Sequence, residues 1–131
     1  QPIDATLSER QEALKADFTE KRGYWHQFWN EILTLDPDFF EAYTHFSSVP
    51  WVSGVLEPKV KELIYTAFDV SATHLYTPGL RLHIKNAIGY GATREEILEV
   101  MELASVIGIH SCTVGVPILV EELAAAGSAD A

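Results

Sequence analysis

The sequence predicts an all-α fold, a single domain of about six helices over residues 1–131. Three observations lead there. Helix-start signals recur along the chain, each a Ser, Thr or Asp set before Pro or three residues before Glu or Gln. Apolar residues return at helical spacing. No useful length of chain alternates apolar and polar residues, as a half-buried strand would.

Residues 1–6 read as a loose terminus. Ser8 can cap a first helix, with Gln11 placed to complete a capping box. This helix is expected to run to about Thr34 with a break near Gly23, and its aromatic stretch from Tyr24 to Trp29 reads as core or subunit contact. Asp36-Pro37 starts a second helix carrying Phe39, Phe40, Tyr43 and Phe46 at helical spacing. Residues 47–54 form a loop around Pro50-Trp51, where Trp51 either lines a pocket mouth or lids a core edge. Pro58 opens a third helix. Val60, Leu63, Ile64, Ala67, Ser71 and His74 share one stripe, expected to face inward, with Glu62, Tyr65, Thr66 and Asp69 opposite.

Thr77-Pro78 starts a fourth helix with Leu80, His83, Ile84, Ala87 and Ile88 on one face, stopped by Gly89 and Gly91. Thr93 and Glu96 form the capping box of a fifth helix, apolar nearly all round and so expected to be buried or sandwiched between subunits. Gly108 breaks it. The last helix, from about Ile109 to Ala126, carries Pro117 in its middle, where a kink or local opening is expected. The tail from Gly127 reads as frayed.

Composition narrows the partners. With 19 acidic and 9 basic side chains the net charge is −10, which repels nucleic acid and anionic membranes. One cysteine can make neither an intrachain disulfide nor a Cys-rich zinc site. Cytoplasmic residence is the expectation. The opening stretch is polar and charged, unlike a signal peptide. No apolar run of 18–20 residues is expected, hence no membrane span.

Three histidines are candidates for chemistry. His83 lies on the apolar face of the fourth helix, where an imidazole can exchange a proton near neutral pH or simply serve as a satisfied core group. His74 closes the third helix's stripe and should point to the same interior, and His110 sits at a helix junction. Together the three could ligate a divalent metal, although no His-x-x-x-His or Glu-x-x-His spacing is present. Arg81 lies roughly 160° around its helix from His83, so it faces solvent, another subunit or a substrate at the helix mouth. Cys112 falls on an apolar side and reads as a small buried hydrophobe.

The segments LEPKVKELIYTAFDVSA and LRLHIKNAIGYGATREEILEVMELASVIGI resemble the carboxymuconolactone decarboxylase family, which shares its fold with the alkylhydroperoxidase D-like proteins. The resemblance covers about residues 56–123. Its most specific part is His83 followed, after seven residues, by Gly91-Ala92-Thr93-Arg94-Glu95-Glu96-Ile97, with Lys61-Glu62-Leu63 upstream. The family's peroxidase branch carries a Glu, a CxxC pair and a His. Glu62 and His83 match the outer two, and both cysteines are missing. Counted back from His83, their places hold Tyr76 and Gly79; counted forward from Glu62, they hold His74 and Thr77, so two extra residues lie between. Without a thiol pair, peroxidase chemistry is not expected.

The resemblance then implies the decarboxylase branch: no metal and no organic cofactor, a homo-oligomer (trimer or hexamer), and a small carboxylic acid or lactone as substrate. His83 would be the proton donor and Glu62 would orient a histidine. His74, Tyr76 and His110 would meet the carboxylate or enolate, and Arg81, Trp51 and Cys112 would be further substrate contacts. The alternatives are a non-catalytic helical binding or assembly module of the same fold, and a metal enzyme built on His74, His83 and His110.

Overall fold

A computed structural model of the chain describes residues 6–127. Most of the terminus expected to be loose, and the tail beyond Gly127 expected to be frayed, lie outside them. The described residues form α1 (Glu9–Arg22), α2 (Asn30–Leu35), α3 (Pro37–Ser47), α4 (Val49–Ser53), α5 (Pro58–Val70), α6 (Thr77–Gly89), α7 (Arg94–Ser105) and α8 (His110–Ala125), with 3-10 turns at Gln27–Trp29 and Val106–Ile109, and no strand. Six of these helices have 11 residues or more, and they are the six expected. The two short ones are α2, beyond the break at Gly23, and α4, within the expected Pro50-Trp51 loop.

The chain divides into two compact units, one ending at Leu56 and one beginning at Glu57, close to where the family resemblance begins. The first starts as its sequence demands. The Ser8 hydroxyl accepts from the Gln11 backbone N–H at 3.1 Å, and the Gln11 side chain accepts from the Ser8 N–H at 2.9 Å. Gly23 ends α1 with a φ of 80°, a left-handed stop that a glycine adopts cheaply. The core is Phe18, Leu33 and Phe40, wrapped by Tyr24, Trp25, Trp29 and Tyr43, so the aromatic stretch is packing. Phe39 and Phe46, on the same helix as Phe40, are exposed.

The second unit packs α5 against α6 and α7. Ala87, Ala92 and Ile97 form its core, with Leu63, Ile84 and Met101 against them. Tyr76 rather than Thr77 caps α6, one residue earlier than the Thr-Pro signal suggests, with Pro78 in the first turn. At its far end the Ala92 N–H reaches back to the Ala87 carbonyl at 2.9 Å around Gly91, whose φ is 94°. The capping box of α7 is present in both directions, Glu96 N–H to Thr93 Oγ1 at 3.0 Å and Thr93 N–H to Glu96 Oε1 at 2.9 Å.

Three expectations are corrected. The inward face of α5 is its polar stripe: Lys61, Glu62, Thr66 and Asp69 are buried, while Ile64 and Phe68 reach solvent. Apolar periodicity misleads here because α6 offers His83 as a partner for carboxylates, and a partnered charge can be buried. Second, of the two places expected for α7, burial is overturned: the described residues do not enclose it. Only Ile97 is buried along it, and Leu98 and Leu103 are exposed. Third, residues 103–120 contain no Asp, Glu, Lys or Arg. The helical run Arg94–Ala125 is long and apolar enough to cross a membrane by length and composition alone. Ser, Thr, His, Gly and Pro scattered through that run hid its length. The α8 helix continues through Pro117, with Val114, Val116, Ile118, Leu119 and Val120 all exposed.

Candidate functional site

The site is built where α5 faces α6. Glu62, Tyr65 and Asp69 recur at helical spacing on α5 and look toward His83 on α6. Glu62 Oε2 lies 2.6 Å from His83 Nδ1, with the Glu62 side chain fully buried and His83 12% exposed. A carboxylate can only accept, so with Glu62 in that form the bond places a hydrogen on Nδ1, and Nε2 is the ring nitrogen on the Asp69 side. The Tyr65 ring stacks on the imidazole at 4.7 Å between centroids, tilted by 38°. Asp69 Oδ2 stands 3.8 Å from His83 Nε2, in ion-pair range but beyond a hydrogen bond.

Glu62 Oε1 is buried without a hydrogen-bond partner. Leaving such an acceptor unsatisfied costs about 1–3 kcal/mol, which a fold tolerates at functional positions. The Glu62 backbone is satisfied: its carbonyl accepts from Thr66 Oγ1 at 2.8 Å.

His74 is not the end of α5 but part of the turn that follows it. Its ring is exposed, its Nε2 lies 3.2 Å from Asp69 Oδ1, and Tyr76 stacks beside it at 5.8 Å. The Tyr76 N–H donates to the Asp69 carbonyl at 2.8 Å. Between them Leu75 holds a φ of 45°, a left-handed conformation costly for a residue with a branched side chain. Helix α6 is unbroken from Thr77 through His83, so the two extra residues fall in this turn and Gly79 keeps its place opposite α5. Gly79 is buried. A Cβ there would come inside contact distance of Asp69 Oδ2 and within 2.7 Å of Tyr76 Cδ2.

The other candidates fall elsewhere. His110 bonds Thr113 Oγ1 at 2.9 Å and borders an open groove of about 500 Å³ with Ala67, Phe68, Ser71, Leu103 and Ile107. Around α5, the groove's residues lie about 150° from Glu62, Tyr65 and Asp69, so His110 does not share their side. Among the described residues no three His, Cys, Asp or Glu side chains group as a metal site, which corrects the His74, His83, His110 triad. Cys112 is exposed on α8, not buried. Arg81 is exposed, as its helical angle requires. Trp51 belongs to the first unit, where the Arg22 guanidinium lies 5.6 Å from its ring. Sequence reasoning missed Asp69. The available signal was its seven-residue spacing from Glu62, which puts two carboxylates on one helical stripe.

The sequence profile described as the carboxymuconolactone decarboxylase family matches residues 37–126. Among solved structures, a candidate gamma-carboxymuconolactone decarboxylase subunit from Burkholderia xenovorans LB400 is 56% identical, with a TM-score of 0.92. The match covers 96% of this chain and 51% of that one, so this chain spans about half the length of the solved relative. No protein of curated function shows significant sequence similarity.

Proposed function

The chain belongs to the carboxymuconolactone decarboxylase family, and on that premise we propose that it is a decarboxylase-like lyase acting, without metal or organic cofactor, on a small activated carboxylic acid or lactone. The observation that carries the reading is the buried Glu62–His83 pair, 2.6 Å apart, with Asp69 on the Nε2 side of the ring. Breaking the bond to a carboxylate releases CO₂ and leaves an electron pair, which a conjugated lactone carbonyl in the substrate can hold as an enolate. That enolate then needs a proton on carbon. His83, with a hydrogen on each ring nitrogen, supplies it from Nε2. The N–H bond breaks as the C–H bond forms, leaving a neutral imidazole whose Nδ1 hydrogen stays bonded to Glu62, which holds the ring in the required orientation. The solved relative is named for a carboxymuconolactone, which makes that compound the first probe.

Positioned proton transfer contributes about 10²–10⁴-fold to rate, so His83→Ala should lower CO₂ release from an accepted lactone acid by about 100-fold or more. Glu62→Gln keeps the shape, loses the charge and should cost less. Treatment with a chelator should leave turnover unchanged. Wild-type turnover in His83→Ala sinks the mechanism.

We also propose that copies of the chain cover the exposed apolar surfaces of α7 and α8. The solved relative is called a subunit, and among the described residues those surfaces are exposed.

A further inference from the structure

We infer that Asp69 is a proton carrier joining two histidines, passing protons from the exposed His74 to the recessed His83. The inference rests on His83 as proton donor in the proposed reaction. Once Nε2 has given up its proton, His83 must be reloaded, and its ring is 12% exposed. Asp69 is the group placed to reload it. Its two oxygens face two different histidines, Oδ1 at 3.2 Å from His74 Nε2 and Oδ2 at 3.8 Å from His83 Nε2. The Asp69 side chain is 11% exposed and that of His74 is 55%, so the path runs from solvent inward.

The transfer is balanced in protons and moves no electrons. The His74 Nε2–H bond breaks as Asp69 Oδ1 gains the hydrogen. The neutral carboxyl turns about its Cβ–Cγ bond and gives that hydrogen to His83 Nε2, and His74 takes another from water. The 3.8 Å gap is longer than a hydrogen bond, so the second hand-over also needs the carboxyl and the ring to close on each other as the carboxyl turns. Three local features support the arrangement. Gly79 leaves the space that the Asp69 carboxylate occupies. The Tyr76 N–H fixes the Asp69 backbone at 2.8 Å. The left-handed Leu75 lies in the turn between His74, whose Nε2 is 3.2 Å from Asp69 Oδ1, and Tyr76.

The test needs no substrate, so it stands apart from whether the chain turns over any lactone acid. In the ¹³C-labelled full chain, relaxation dispersion at the His83 Cε1 carbon reads how fast that ring exchanges protons with solvent. Asp69→Asn, of equal shape, and His74→Phe should each slow this exchange by about tenfold or more, a scale set by the worth of one positioned proton carrier. Added free imidazole should restore the rate, as a diffusing carrier replaces the built one. Gly79→Ala, whose Cβ would press on both the Asp69 carboxylate and the Tyr76 ring, should slow exchange likewise. An unchanged rate in Asp69→Asn or in His74→Phe overturns the inference, and so does slowing that imidazole does not restore.

Discussion

Leu75 shows how the site is held at the level of a single residue. It has a φ of 45° and a largely exposed side chain, so its conformation is imposed by the turn and little packing repays it. Leu75→Gly should therefore raise the free energy of unfolding by up to about 1 kcal/mol while loosening His74, measured by urea denaturation beside His74 ring dynamics. A destabilised protein would mean that the leucine packs usefully after all. The same scale shows what the sequence could reveal. His83 and Glu62 are legible because the family motif places them. Asp69 is not, because its seven-residue spacing from Glu62 marks a shared stripe without telling a buried carboxylate from a solvated one. The wheel assigns α5 by apolarity, and the decisive partner sits on another helix, at position 83. Gly79 is equally silent until the close approach of Asp69 gives a reason for it.

Helix boundaries were the most legible part of the chain. Ser8, Asp36, Pro58 and Thr93 mark real starts because capping is settled within four residues, without help from tertiary contacts. At the start of α7 the Thr93 N–H and the Lys59 ammonium, 3.0 Å away, hold the Glu96 carboxyl below its ordinary value, the backbone bond being the larger cause. The sign follows. A carboxyl held lower in the folded than in the unfolded chain adds stability above its unfolded value, and that stability is lost as pH falls through the folded one. Glu96→Gln should therefore flatten the acid limb of a plot of denaturation midpoint against pH. Thr93→Ala should cost about 1 kcal/mol at neutral pH through the lost cap. An acid limb as steep in Glu96→Gln as in the wild type would refute the assignment. Helix faces were less legible than boundaries, since a face is chosen by what packs on it.

At the scale of the molecule, α8 poses a problem that one chain does not solve. Its apolar residues stand in solvent, and a surface of that kind is a contact surface. Light scattering should give a mass that is a multiple of 14.6 kDa. A charge at the middle of α8, as in Leu119→Glu, should reduce it to one chain. A wild-type chain that stays monomeric without detergent, and binds lipid vesicles, would assign the same surface to a membrane instead. The sequence signalled such a surface through the all-round apolarity of α7, but length alone cannot say whether a helix meets protein or lipid. The division of the chain has a further, practical result. Trp25, Trp29 and Trp51 are its three tryptophans, and all lie before Glu57. Intrinsic tryptophan emission therefore reports the melting of the aromatic cluster directly, while the helices that carry His83 have no such chromophore. A fluorescence curve and a circular-dichroism curve on this protein need not coincide, and any gap between them would measure how tightly the two units unfold together.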